Sequence, residues 1–269
     1  MTIPSSVTSI GDRAFDTTNA LKTITVAVDN LSYSSRDGML YDKLQTAILA
    51  VPRSITGSVI VPGTVTSIGD WAFSGCGALT AVTIPSSVTN IGEAAFLGCG
   101  SLTVLTIPGS VTNMGRWAFA GCSGLIDVTI SQGVTSIGRQ AFQDCTRLTS
   151  VTIPSSVTSI QDNAFNGCTS LTAVAIPTGV TSIEAYAFSG CSGLTVVTIP
   201  SSVTNIGDGA FSGCIGLIGL NFLGSPPQLG GSLSDSSTAI VKYPKGSGAT
   251  TWASYVGTLF GGLITQEAT

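Results

Sequence analysis

Cysteine has the most chemistry to offer in this sequence, and its spacing is strict: positions 76, 99, 122, 145, 168, 191 and 214, each 23 after the last. Thiols in one register could line an edge of a stack about 4.8 Å apart, the separation of neighbouring strands, as a metal or redox array would. Several features weigh against that reading. Zinc needs convergent Cys or His, the chain has no histidine, and equivalent positions in stacked units point in parallel. Seven thiols cannot all pair as disulfides. Buried thiols acting as small apolar side chains account for the spacing, so no metal and no cofactor is expected.

Acid–base chemistry has even less support. There is no histidine to serve as base, no G-x-S-x-G elbow and no phosphate-cradling loop. The carboxylates Asp12, Asp70, Glu93, Asp162 and Asp208 recur around one place, just ahead of an x-Ala-Phe segment. A repeated carboxylate reads as a cap on the N–H groups of a short helical turn. The expectation is a protein that is not an enzyme.

The elements that would carry these residues follow from the same period. Phenylalanines at 73, 96, 119, 142, 165, 188 and 211 keep step with the cysteines, and Ala precedes Phe in all eight copies, counting Ala14-Phe15. The unit reads L-T-x-V-T-I-P-S-S-V-T-S-I-G-D-x-A-F-S-G-C-x-x. Within one copy Leu79, Val82 and Ile84 follow an L-x-x-L-x-L spacing that sends the last two to one face of a short strand and Thr83 to the other. Pro85 ends the strand and Ser86-Ser87 turns the chain. Val88 and Ile91 return inward, Gly92 permits a bend, and Ala95-Phe96 fits a short helical or 3₁₀ segment whose ring plugs the coil. No unit can cover its own core, so stability comes from stacking neighbours. The fold expected is a repeat solenoid, with a short strand plus a short helical or 3₁₀ turn in each 23-residue coil, in a curved right-handed stack.

Two stretches break the period. An enlarged repeat, about 21–56, contains Asp37 to Pro52 and reads as a hairpin, two β-rich runs around a polar turn. From Leu217 the pattern decays towards a last strand at Ala239 to Tyr243 and a tail with Trp252, Tyr255 and Phe260. The organisation expected is therefore a solenoid over 1–216 and a degenerate repeat with a C-terminal cap over 217–269.

The V-T-I-P-x-S-V-T-S-I-G-x-x-A-F-x-G-C run and the D-G-x-L-Y-D-K element from Asp37 to Lys43 resemble the BspA-like leucine-rich repeat family over nearly the whole chain. The resemblance implies a leucine-rich repeat solenoid, an extracellular or cell-surface location, and adhesion or protein binding, with extracellular-matrix glycoproteins among the partners. One departure from the wider leucine-rich class is that the asparagine of L-x-x-L-x-L-x-x-N is replaced by Ser87, Ser110 or Gly133, so a buried asparagine ladder is absent.

Composition fits such a surface. Charged residues make up 9% of the chain and apolar residues 43%, against roughly a quarter charged in typical soluble domains. A net charge of -4 offers no basic stripe for nucleic acid or anionic membrane. No apolar run approaches the roughly 20 residues that span a bilayer, and the start, Met-Thr-Ile-Pro-Ser-Ser-Val, lacks the pattern of an export signal. The open N-terminal coil predicts possible self-association.

Two sets of outward residues are candidates for partner binding. Thr83, Thr106, Thr129, Thr152 and Thr198, with Ala175 between, form a row on the strand face, a rigid low-charge surface suited to an extended protein or glycan. A second row comprises Thr66, Thr89, Thr112, Thr135, Thr158, Thr181 and Thr204. The slot before Ala-Phe holds Arg13, Trp71, Ala94, Trp117, Gln140, Asn163, Tyr186 and Gly209, with Arg116 and Arg139 beside it. Trp71, Trp117 and Tyr186 there could anchor a partner or pack on the next coil. A non-catalytic binding or adhesion module leads; a structural spacer within a larger surface protein is the alternative, and an ice-binding threonine ladder ranks below both.

Overall fold

Alternation of inward and outward residues builds the first side of each coil. The computed structural model describes residues 1–11, 13–16, 18–235, 239–244, 252 and 259–267. In it the strands Gly57–Ile60, Leu79–Thr83, Val104–Ile107, Asp127–Ile130 and Ser150–Thr152 lie parallel, side by side. Val196–Ile199, Gly219–Phe222, Ile240–Tyr243 and Leu263–Glu267 form a second parallel set, which a bridge from Thr198 to Ala175 extends by one coil. Partners are offset by one repeat, as in Leu105 with Val128 and Thr106 with Thr129. Along Val104–Ile107 burial alternates, so Leu105 and Ile107 enter the core and Thr106 faces out. The chain forms a repeat solenoid of about eleven coils.

After the proline turn a second side is built from two-residue strands, Ser67–Ile68, Asn90–Ile91 and Asn113–Met114, then Ser136–Ile137 through Gln228–Leu229, again in parallel register. The turn's serine does the bonding here. Ser87, Ser110 and Ser156 donate to the carbonyls of Val65, Val88 and Val134 in the preceding coil at 2.7, 2.7 and 2.6 Å.

The third side corrects the expectation of a helical or 3₁₀ segment, because the described residues contain no helix. The reason lies in where the N–H groups go. Ala72, Ser74 and Cys76 bond locally to Gly69, Trp71 and Phe73, three residues back. The alternate residues Trp71, Phe73 and Gly75 donate instead to Glu93, Ala95 and Leu97 of the next coil, at 2.8, 2.7 and 2.7 Å. Half the donors a helix would need are thus spent between coils, and the segment is a ribbon of linked turns. Gly92 is also required by packing: a Cβ there would stand 2.3 Å from Asp70 Oδ1 and 2.7 Å from the Gly69 carbonyl carbon, so close approach of the preceding coil excludes a side chain.

Between these sides runs a core that is continuous from the hairpin to the C-terminal strands, with a smaller separate cluster of Ile3, Ile24 and Leu40 under the N-terminal coils. Phe73, Phe96, Phe119, Phe142, Phe165, Phe188 and Phe211 stack face to face, with centroids 4.6 to 5.6 Å apart. At the N-terminal end Met39–Asp42 and Ala47–Ala50 pair antiparallel around a turn, as the hairpin reading expects. Asp42 closes that turn by accepting N–H bonds from Thr46 and Ala47. A further strand, Tyr33–Arg36, joins the other edge. At the C-terminal end buried Trp252 packs on Phe222, Tyr243 and Phe260 and donates Nε1–H to Gly224 O at 2.8 Å. Tyr255 lies outside the described residues.

Candidate functional site

The thiols face backbone. Cys99, Cys122, Cys145, Cys168, Cys191 and Cys214 each donate S–H to the carbonyl oxygen of the phenylalanine one coil earlier, at 3.1 to 3.3 Å. Burial pushes up the thiols of Cys76, Cys145, Cys168, Cys191 and Cys214, the last to about 12. For Cys99 the neighbouring Cys122 thiol contributes most to the rise and burial second. A thiol held protonated is neither a metal ligand nor a nucleophile. Among the described residues no group of three His, Cys, Asp or Glu is placed to hold a metal ion.

Three of the carboxylates that repeat ahead of Ala-Phe, Asp70, Asp162 and Asp208, bond across coils instead of capping a helix. Asp70 Oδ1 accepts the Glu93 N–H of the next coil at 2.7 Å. Asp162 pairs with Arg139 at 3.2 Å, and Asp208 accepts the Tyr186 hydroxyl at 3.2 Å, which raises the Tyr186 phenol. Asp12 lies outside the described residues.

The slot before Ala-Phe has a property that the sequence hides. Arg13, Trp71, Ala94, Trp117, Gln140, Asn163, Tyr186 and Gly209 all have positive φ, between 50° and 61°. A side chain in this left-handed conformation costs roughly 1–2 kcal/mol, and asparagine and glycine tolerate it best. Asn163 and Gly209 in the slot are the only sequence signal of it; the other six residues conceal the requirement. The repeat's own neighbours occupy the aromatic side chains here. The Arg13 guanidinium lies over Trp71 at 4.3 Å and that of Arg116 over Trp117 at 3.6 Å. Arg116 Nε also donates to Gln140 Oε1 of the next coil at 2.7 Å. The Tyr186 ring lies so close over Gly209 that a Cβ there would be 2.4 Å from Cε1. Both tryptophans are half-buried.

The two threonine rows differ in how their hydroxyls are used. On the second side Thr89, Thr112, Thr158, Thr181 and Thr204 each donate to the carbonyl of the threonine one coil earlier, at 3.1 to 3.3 Å. On the first side Thr83, Thr106, Thr152 and Thr198 are exposed and Thr129 half-exposed, and among the described residues none of their hydroxyls has a protein partner. Beside them runs the outward register Ala81, Val104, Asp127, Ser150, Ala173 and Val196. The candidate residues therefore do not converge on one spot. The threonines belong to the strand side of the coil and the Trp, Tyr and Arg residues to the turn ribbon.

Comparison with known proteins agrees with this architecture. The BspA type leucine-rich repeat region, in six copies, matches residues 1–56, 53–172 and 158–233. A leucine-rich repeat protein from Eubacterium ventriosum is 31% identical with a TM-score of 0.73, over 79% of this chain and 57% of that one. Another from Bacteroides ovatus is 26% identical with a TM-score of 0.59, over 88% and 67%. A leucine-rich cell surface protein from Faecalibacterium prausnitzii is 27% identical with a TM-score of 0.40, over 83% and 79%. This chain spans little more than half of the Eubacterium ventriosum protein. No curated protein matches it. Repeat, register and matched residues together make this chain a member of the BspA-type leucine-rich repeat family.

Proposed function

We propose that the chain is a non-catalytic binding module, presented outside the cell, that engages a protein or glycan along the strand side of its coils. The observation that carries this reading is the contrast between the two threonine rows. One set of hydroxyls is consumed by the fold; the other stands free at a spacing of about 4.8 Å on a rigid surface. A free hydroxyl can donate and accept without first breaking an internal bond, and the apolar register of Ala81, Val104 and Val196 beside it supplies area to bury. The turn ribbon is the weaker surface, because Arg116 and Arg13 already cover Trp117 and Trp71. Membership of the BspA-type family and the low charge of the chain support a surface location and a role in adhesion.

The reading is tested by binding of the intact chain to immobilised extracellular-matrix glycoproteins and to a glycan panel. Saturable binding that Thr106→Lys with Thr152→Lys weakens at least tenfold supports it. Binding that instead follows Trp117→Ala moves the site to the turn ribbon, and absence of binding across the panel favours a structural spacer. Ice binding has less support, since the register beside the free row holds no second threonine.

A further inference from the structure

Charge is sparse in this chain, at 9% of residues, yet one column of the turn ribbon is charged in four successive coils: Asp70, Glu93, Arg116 and Arg139. The backbone fixes their register. Trp71, Ala94 and Trp117, each following one of the first three, donate their N–H groups to the carbonyls of Glu93, Arg116 and Arg139 in the next coil, at 2.8, 2.8 and 3.1 Å. The column therefore advances by one coil spacing, about 4.8 Å, at each step. All four residues are exposed.

The order of the signs suits no pairing within the chain. Two acids followed by two arginines set like charges side by side at both ends, which is unfavourable at this spacing, and leave one favourable neighbour pair in the middle. Even that pair is not made. Among the described residues the Glu93 carboxylate has no hydrogen-bond or ion-pair partner. Arg116 turns away from it, with Nε on Gln140 Oε1 at 2.7 Å and the guanidinium stacked over Trp117. That stacking holds the guanidinium in place while its terminal nitrogens keep their donors, among the described residues. Asp70 spends Oδ1 on the Glu93 N–H and Arg139 spends Nη2 on Asp162, which leaves Oδ2 and Nη1 over.

We propose that this column docks a second copy of the chain, antiparallel, about a two-fold axis that crosses the ribbon between the coils of Glu93 and Arg116. Reversing the stack turns two acids and two arginines into two arginines and two acids. Glu93 then faces Arg116 of the second copy and Asp70 faces its Arg139, and the symmetry makes each pair twice. A parallel arrangement sets like charge on like, so the charges select the direction as well as the face. The slot beside the column obeys the same reversal: Ala94 comes level with Trp117 of the second copy and Trp71 with its Gln140, so no two rings compete for one place. This contact is separate from the open N-terminal coil. It leaves the strand side of both copies uncovered and does not depend on what binds there.

Sedimentation of the intact chain, up to about millimolar concentration, tests the proposal. At about 0.05 M salt a monomer–dimer equilibrium should appear, and at about 1 M salt, where charges are screened within about 3 Å, association should weaken at least tenfold. Arg116→Glu and Glu93→Lys each set like charge on like twice across the axis, and each alone should weaken the dimer at least tenfold. An equal mixture of the two variants should dimerise as the parent chain does, because every facing pair is again of opposite sign. Melting followed by circular dichroism checks the fold of each variant. Should Arg116→Glu melt lower than the parent chain, Glu93→Lys, which removes a carboxylate that the fold does not use, still decides. A parent chain that stays monomeric at low salt, a dimer that survives Glu93→Lys, or a mixture of the two folded variants that stays monomeric overturns the proposal.

Discussion

The Cys122 thiol donates to the carbonyl oxygen of Phe96, one coil earlier, at 3.2 Å, while that oxygen also receives the Cys99 N–H at 3.2 Å. One acceptor thus ties its own turn and the following coil together, and the pattern recurs down the stack. In the degenerate last repeat the Ser234 hydroxyl makes the same bond to Phe211 O at 3.1 Å. The cysteine column is therefore a bonding column, which accounts for its strict register better than size alone.

Accessibility follows from this. The seven buried cysteines should be inert to a thiol-specific disulfide reagent in the native chain and should all react after unfolding. Absorbance of the released thiolate measures it; fast reaction of several thiols under native conditions would contradict the packing.

Stability should fall at high pH. The folded chain holds Cys76, Cys99, Cys145, Cys168, Cys191 and Cys214 above their ordinary value of 9.0. Above pH 9 the unfolded state binds fewer protons than the folded one, so each thiol removes about 1.4 kcal/mol per pH unit until its folded value is reached, about 12 for Cys214. Their contribution is complete below pH 9. Circular dichroism under reducing conditions should show cooperative unfolding between roughly pH 10 and 11; a chain equally stable at pH 8 and 11 would refute it.

Removing one ring should divide the stack. Phe142→Ala leaves a cavity between Phe119 and Phe165 and should cost about 3–5 kcal/mol. Since each coil touches only its neighbours, urea unfolding should become biphasic as the two halves uncouple. A single transition at the parent midpoint would show that the ring contributes little.

A backbone demand can be isolated at Gly98, where φ is +72° and a Cβ would meet nothing within 4 Å. Gly98→Ala should cost about 1–2 kcal/mol through conformation alone, with its crystal structure unchanged. Asn163→Gly, in the other left-handed position, should be nearly neutral. Destabilisation below 0.3 kcal/mol for Gly98→Ala, set against that roughly 1–2 kcal/mol, would mean the ribbon relaxes.

Much of this architecture was legible in the sequence because it repeats. The 23-residue step of Phe, Cys, Leu, Val and Ile marked the inward positions, and Thr83 facing out followed from period 2. The turn ribbon was not legible as such. Ala95-Phe96 looked helical because its local three-residue bonds resemble a helix, while the alternate N–H bonds of Ala94, Phe96 and Gly98 reach another coil and leave no local pattern. The left-handed slot was masked by residues as different as Trp117 and Gln140. Val51 takes the phenylalanine position inside the enlarged repeat, its N–H donating to Ala72 O as that of Phe73 does to Ala95 O, and the changed spacing there hides the register. Nor could the sequence separate the two threonine rows, since only geometry shows which hydroxyls are spent.

That separation is also what binding must respect. Thr106, Thr129 and Thr152 changed together to Val lose hydroxyls that the fold does not use; Thr112, Thr158 and Thr181 changed to Val lose ones that it does. For any glycoprotein or glycan that the chain captures, the first set should weaken binding at least tenfold with the melting temperature unchanged. The second should lower stability by about 0.5 kcal/mol per residue and leave binding intact. Binding indifferent to the first set, or lost only with the second, would contradict the strand side as the recognition surface.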